Sequence, residues 1–177
     1  MSKSILQNKF FLKYFTNIYN LLRDNAHKEY VEGVKSLYQI HPSFRVGTGT
    51  IISGTGSIFI GEDSYIGNNS FITSEPAIVK IVIGKQCSLS HNIHIRTQLH
   101  IHKRQYKDEL VTPIEGADII IGDYVWIGAN AYISGGVTIG ENTIVGSNSV
   151  VTHDIPSDMI YGGVPARLIR SKLDYPD

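Results

Sequence analysis

The 177-residue chain reads as an all-β solenoid with a helical appendage, on three observations. Ile121, Ile127, Ile133, Ile139, Val145 and Val151 recur every six residues without a slip. The position after each is small or β-branched (Gly122, Gly128, Ser134, Gly140, Gly146, Thr152), and so is the fifth position of each hexad: Val125, Ala131, Val137, Thr143, Ser149. Of the seventeen glycines only Gly33 precedes His41, so the chain changes character near His41-Pro42. Six is neither the helical period nor the two of a simple strand. It suits short strands joined by tight corners, with an aliphatic side chain of each strand pointing inward.

Residues 1–41 form the appendage. Ile5, Leu6, Phe10, Phe11, Tyr14, Phe15, Ile18, Leu21 and Leu22 recur at threes and fours, which predicts an amphipathic helix. Gly33 weakens the pattern, so a second, shorter helix is expected around Glu29 to Tyr38. The aromatic face is expected to pack on the solenoid or on a neighbouring subunit. Lys3, Lys9 and Lys13, interleaved with Phe10, Phe11 and Phe15, are also compatible with an interfacial membrane anchor.

Residues 42–165 form the solenoid, irregular at first. Val46, Ile52 and Ile58 share one phase, and Ile60, Ile66, Ile72 and Ile78 a second. Ile83, Leu89 and Ile95 restart after a slip. Corner bulges are expected at Gly54 to Ser57 and at Val79 to Val82. Each coil buries its aliphatic column only by stacking on the next. The two open ends need covering, and the flanking segments are the candidate caps. The period fails in residues 96–120, a polar insertion holding Pro113 and Gly116, with His100 and His102 near its exit from the coil. A long loop in a rigid repeat is commonly functional. Residues 166–177 close the solenoid, with a short basic helix expected over 166–173.

Composition excludes several classes. Sixteen acidic and sixteen basic residues leave no electrostatic case for nucleic acid. The single cysteine, Cys87, rules out an internal disulfide framework. Its fifth-position slot predicts a buried small side chain. No stretch is apolar enough to span a membrane and no signal-peptide core is evident, so a cytoplasmic protein is expected.

The hexads, the histidine-bearing loop, IGDYVWIG at 121–128 and GGVPARLIR at 162–170 resemble the hexapeptide-repeat acyltransferases. The closest resemblance is to the O-acetyltransferases of the galactoside, maltose and polysaccharide groups. The resemblance covers roughly residues 44–170. It implies a left-handed parallel β-helix, a homotrimer with active sites between subunits, acetyl-CoA as acyl donor and no metal.

Carried over residue by residue, the resemblance makes His100, after Thr97-Gln98-Leu99, the catalytic base. Trp126 lies beside the acetyl group, and the Ala129 N–H faces the thioester oxygen. Ser147 lines the CoA groove, Thr152 and His153 lie near the adenosine end, and Arg167 and Arg170 meet the phosphates. His102 competes with His100 or contacts the acceptor. Asn69 and Glu75 are further acceptor candidates, because FITSEPAIVK at 71–80 departs from the sugar-contacting residues of the galactoside and maltose enzymes.

A neutral imidazole suits removal of an alcohol's proton during attack on a thioester. The expected activity is therefore O-acetylation of a saccharide hydroxyl, the acceptor a surface polysaccharide, a lipid-linked sugar or a free sugar. The alternatives are an N-acetyltransferase of an amino sugar and a xenobiotic acetyltransferase. A zinc carbonic anhydrase on this solenoid needs two histidines five residues apart. His91, His94, His100 and His102 offer no such pair. A non-catalytic scaffold is the remaining reading.

Overall fold

A computed structural model describes residues 9–98 and 116–174, with side chains from residue 12. His100 and His102 therefore lie outside the described residues. Helix α1 (Lys9–Leu37) leads into short strands that sort into three sheets. Sheet A stacks β1 (Gln39–Ile40), β4 (Ser57–Ile60), β7 (Lys80–Ile83), β10 (Ile119–Ile121) and β13 (Thr138–Ile139). Sheet B stacks β2 (Arg45–Val46), β5 (Tyr65–Ile66), β8 (Ser88–Leu89), β11 (Trp126–Ile127), β14 (Ile144–Val145), β16 (Met159–Gly162) and β17 (Arg167–Ser171). Sheet C stacks β3 (Ile51–Gly54), β6 (Phe71–Ser74), β9 (His94–Arg96), β12 (Tyr132–Ser134) and β15 (Val150–Val151). The chain runs A to B to C and repeats, so each circuit is one coil of a parallel β-helix.

The register explains the hexads. Ile60, Ile83, Ile121 and Ile139 pair in line in sheet A, Ile66, Leu89, Ile127 and Val145 in sheet B, and Ile72, Ile95, Ile133 and Val151 in sheet C. Each of these twelve side chains is buried. The fifth-position residue two places earlier is buried as well: Ile81, Ile119 and Val137 in A, Cys87, Val125 and Thr143 in B, Ile93, Ala131 and Ser149 in C. Two inward side chains on each side of a coil fill the triangular interior, the second ranging from Ala131 and Ser149 up to Ile81, Ile93 and Ile119.

Where that second residue is polar, its hydroxyl joins neighbouring coils. Ser64 Oγ donates to Gly84 O (2.8 Å) and accepts from Cys87 N–H (2.9 Å). Thr50 Oγ1 donates to Gly67 O (2.7 Å) and accepts from Ser70 N–H (3.0 Å). Buried hydroxyls are tolerated here because each is bonded.

Five expectations are corrected. Ile58 does not share the phase of Val46 and Ile52; it is the inward partner of Ile60, in register with Ile81. Ile78 is 91% exposed, and Val79 and Ile81 are buried in its place. The second bulge accordingly falls at 75–78, because Lys80–Ile83 is a regular strand paired on both sides. α1 is one helix rather than two: Val34 is buried in the core and the Tyr30 hydroxyl is bonded to the first coil. That anchoring outweighs the ~1 kcal/mol that Gly33 costs a helix. Residues 167–171 form a strand, not a helix, pairing antiparallel with β16. The exposed edge of sheet B demands a partner more strongly than the local sequence prefers a helix.

α1 covers the N-terminal edge with side chains. His27 Nε2 bonds Val46 O (2.9 Å), and the Tyr30 hydroxyl accepts from Ile52 N–H (2.7 Å). The Tyr38 hydroxyl donates to Gly54 O (2.8 Å) and Lys35 Nζ to Pro42 O (2.5 Å). Gly54 has a φ of +125°, and a Cβ there would lie 2.1 Å from Ser74 O.

Ile81→Ala should cost about 2–5 kcal/mol, because it opens a cavity in a closed column. Ile78→Ala, three residues away, should change stability by less than about 0.5 kcal/mol. Thermal melts of the two variants check the assignment, and equal losses would refute it. Burial raises the Cys87 thiol above its ordinary pKa, despite hydrogen bonds that lower it. Its share of stability is thus present below the ordinary thiol range and is lost as pH rises through the folded pKa. Cys87 should resist a thiol reagent at pH 8 in the native protein and react at once in denaturant. The fall in Tm between pH 8 and 10 should shrink in Cys87→Ala.

Candidate functional site

Two of the three corners are regular. The A-to-B and B-to-C corners turn on a residue in the left-handed region, among them Gln86, Tyr124 and Asn142 in one column and Asn92, Asn130 and Asn148 in the other. All the extra chain leaves from the third corner, between sheets C and A. Eight residues separate Ile52 from Ile60, eleven separate Ile72 from Ile83, and twenty-six separate Ile95 from Ile121. The insertions therefore stack on one edge, and the largest rests on a smaller one.

That resting point is tightly bonded. Thr97 is fully buried; its hydroxyl donates to Glu75 O (2.7 Å) and accepts from Glu75 N–H (2.7 Å). Ala117 N–H donates to Thr97 O (2.9 Å), and Gln98 bridges Gly116. Gln98 Nε2 donates to Glu75 Oε2 (2.8 Å), and Asp118 Oδ1 accepts from Lys80 N–H (2.8 Å). Glu75 thus sits at the foot of the segment that carries His100 and His102.

The outward face of sheet C adds Phe71, Tyr132 and Arg96, which sequence reasoning missed, around His94. Phe71, His94 and Tyr132 stack across three coils, with ring centroids 5.0 and 6.5 Å apart and planes 24° from parallel in both pairs. Arg96, two residues beyond His94, pairs in register with Thr73 and Ser134. Its Nε is buried with no hydrogen-bond partner among the described residues. An unmade bond to a buried guanidinium N–H is costly. The signal lay in the outward slots of successive hexads, which only the register aligns.

The B-to-C corner shows a second opening. Along it, Thr48 N–H is capped by Asn68 Oδ1 (3.0 Å), and Asn68 N–H by His91 Nδ1 (2.9 Å). His91 is therefore a corner acceptor. The next rung is Ala129, whose methyl offers no acceptor, and its own N–H takes no partner among the described residues. Asn92, Asn130 and Asn148 flank the opening as a ladder of amide bonds, each 3.0 Å. Ser147 lies one rung beyond Ala129, where Asn148 N–H meets Ala129 O (2.8 Å). Its neighbour in the stack is Gly128, where a Cβ would lie 2.5 Å from Ser147 N. Asn69 occupies the same corner with φ +55°, exposed, its N–H bonded to Thr48 O.

Trp126 stands on the outward face of sheet B, 52% exposed. Its register column continues through Ile144 and Ile160 to Arg170. Three steps at ~4.8 Å put Trp126 and Arg170 about 14 Å apart on one face. Arg167 is exposed, with Nη1 bonded to Ala166 O (2.9 Å). Thr152 and His153 are exposed and bonded to each other (2.9 Å), but they stand at the C-to-A corner. The structure therefore gathers Trp126, Ala129, Ser147 and Arg170 along sheet B and its edge. Glu75, Thr152 and His153 lie on the insertion side.

Comparison with known proteins gives these groups a context. The family model for the bacterial transferase hexapeptide (six repeats) matches residues 118–153. Galactoside O-acetyltransferase of Escherichia coli K12 is 34% identical over 118 residues, covering 64% of this chain and 57% of that protein. The chain thus spans little more than half the length of that curated relative. A hexapeptide-repeat acetyltransferase of Vibrio cholerae is 31% identical, covering 75% of this chain and 69% of its own, with a TM-score of 0.57. A maltose O-acetyltransferase of Clostridium difficile 630 is 26% identical, covers 96% of this chain and 89% of its own, and has a TM-score of 0.72. The coil of three parallel sheets is the left-handed β-helix of these proteins, and the chain belongs to the hexapeptide-repeat acetyltransferase family.

Proposed function

We propose that the chain is an acetyl-CoA-dependent O-acetyltransferase of a saccharide hydroxyl, working as a homotrimer with His100 as general base. The observation that carries the reading is the unpartnered Ala129 N–H, placed in the turn that follows the Trp126 strand and on the same edge as Ser147. Preorganised donors of this kind stabilise the charge that develops on a thioester oxygen. Removal of one costs about 10²–10³ in rate.

The steps balance without a protein nucleophile. The acceptor hydroxyl attacks the thioester carbon while the His100 imidazole takes its proton, and the carbonyl oxygen becomes an oxyanion facing the Ala129 N–H. Collapse breaks the C–S bond, and His100 returns the proton to the leaving thiolate. The products are the acetyl ester and free CoA. Trp126 flanks the acyl end, Ser147 lines the groove and Arg170 receives the phosphates at the far end of the same face. Arg167, Thr152 and His153 add polar contacts around the nucleotide. The bonded foot at Thr97, Glu75 and Gln98 supports the base from the insertion side.

For the acceptor, the Phe71–His94–Tyr132 column offers flat apolar faces to a sugar ring, and the half-buried Arg96 side chain on the same face brings a guanidinium near its oxygens. Asn69, Glu75 and His102 are further acceptor contacts in this reading. Galactoside and maltose appear in the names of the relatives described above, which supports a saccharide over other acceptors.

Thiol release from acetyl-CoA should rise with a suitable oligosaccharide. His100→Ala should lower that rate by about 10²–10⁴ while His102→Ala retains most of it. Arg170→Gln should raise KM for acetyl-CoA with kcat little changed, and Arg96→Gln should raise KM for the acceptor alone. If an amino sugar is acetylated on nitrogen and no hydroxyl is, the acceptor class is wrong while the base assignment stands. Full activity in His100→Ala sinks the mechanism.

A further inference from the structure

We propose that the first half of α1 is a docking surface for an anionic lipid surface. The helix serves two purposes along its length. His27, Tyr30 and Val34 turn inward, bonded to or buried against the first coil. Carried back in steps of three and four, that inward stripe passes through Arg23, Asn20 and Thr16, all polar. Apart from Leu12, which continues the stripe below Thr16, the apolar residues of the first half lie elsewhere. At 3.6 residues per turn, Phe15, Ile18 and Leu22 are rotated about 120° from the inward stripe. Leu12, Tyr14, Phe15, Ile18, Tyr19, Leu21 and Leu22 are each between 37% and 65% exposed. This face is apolar by sequence and is not directed at the chain's own solenoid.

Charge decides what covers it. Residues 1–23 contain Lys3, Lys9, Lys13 and Arg23 and no acidic residue; the first acid is Asp24, which pairs with Arg23 at 2.9 Å. The apolar arc of the described side chains spans about half the helix circumference. A seam for a second copy would be narrower and would carry acids to meet the lysines across it. A broad aromatic and aliphatic face with lysines confined to the opposite, polar half of the helix matches a helix lying in a lipid interface, its rings and Leu side chains at the acyl boundary and its lysines reaching the anionic headgroups from the polar side. Among the described residues no helix is long and apolar enough to cross a membrane, so the contact is made along the surface. The inward residues of α1 hold the N-terminal end of the β-helix to that helix, and this end would face the lipid.

The inference is independent of the acetyl-transfer reading, because none of these side chains belongs to the proposed site. The test is flotation of the full chain with vesicles of phosphatidylcholine alone and of phosphatidylcholine with one-third phosphatidylglycerol. The wild type should bind the anionic vesicles about tenfold or more tightly than the neutral ones, and 0.5 M salt should weaken it. The triple variant F15S/I18S/L22S and the charge variant K9E/K13E should each lose about tenfold or more in binding. Both should keep the far-ultraviolet spectrum and solution mass of the wild type. Equal binding to both vesicle types, or full binding by the triple variant, overturns the proposal. A drop in the lipid-free mass of the triple variant also overturns it, assigning the face to a second copy.

Discussion

Everything in this chain depends on one coil covering the next. An isolated triangular turn of strands two to four residues long has almost no interior. Ile121, Ile127 and Ile133 become buried only because Ile83, Leu89 and Ile95 lie on one side and Ile139, Val145 and Val151 on the other. Apolar burial of about 25 cal/mol per Å² then accumulates along the axis, and backbone bonds between coils align with it. The same dependence makes the ends vulnerable. The chain answers with His27, Tyr30 and Tyr38 at one end and an antiparallel β17 at the other.

Stacking also divides the molecule between support and chemistry. Strict register requires the chain to turn at fixed places, and two corners comply with a column of left-handed residues. The third tolerates two, five or twenty additional residues, counted beyond six from the steps of eight, eleven and twenty-six, because only the strand ends need return to register. The polar clamp at Thr97 and Glu75 lets a long segment leave without loosening the coil below it. At the B-to-C corner the ladder of side-chain caps runs from Thr48 to His91 and stops there: the Ala129 methyl cannot cap the His91 N–H, and no side chain caps the Ala129 N–H among the described residues. Rigidity and reactivity thus arise from the same ladder, complete at one rung and interrupted at the next.

Most of the architecture was legible because inward positions obey a simple period. The six-residue recurrence from Ile121 to Val151 named the buried columns, and Cys87 was rightly placed among them. The misreadings share a cause. Ile58, Ile78 and the helix expected over 166–173 were judged by local spacing, whereas pairing between distant coils decided them. Ile78 fits the six-residue spacing from Ile72, but its coil restarts at Ile81 and Ile83 because β4 lies beneath them. Arg96, Phe71 and Tyr132 escaped notice because outward positions carry no period, and only the register brings His94 between two aromatic rings. Trp126 was legible as an outward residue from its slot alone, and its exposure agrees.

The account rests on acyl transfer at the edge where Ala129 is open. The most direct test is a crystal structure of the full chain with a non-hydrolysable acetyl-CoA analogue. The account predicts three chains around one axis, with the analogue in a groove between two of them. Its carbonyl oxygen should lie within about 3.2 Å of the Ala129 nitrogen, its thioester end against Trp126 and its phosphates toward Arg170. A carbonyl bound elsewhere, with the Ala129 N–H bonded to water or to another chain, would contradict it.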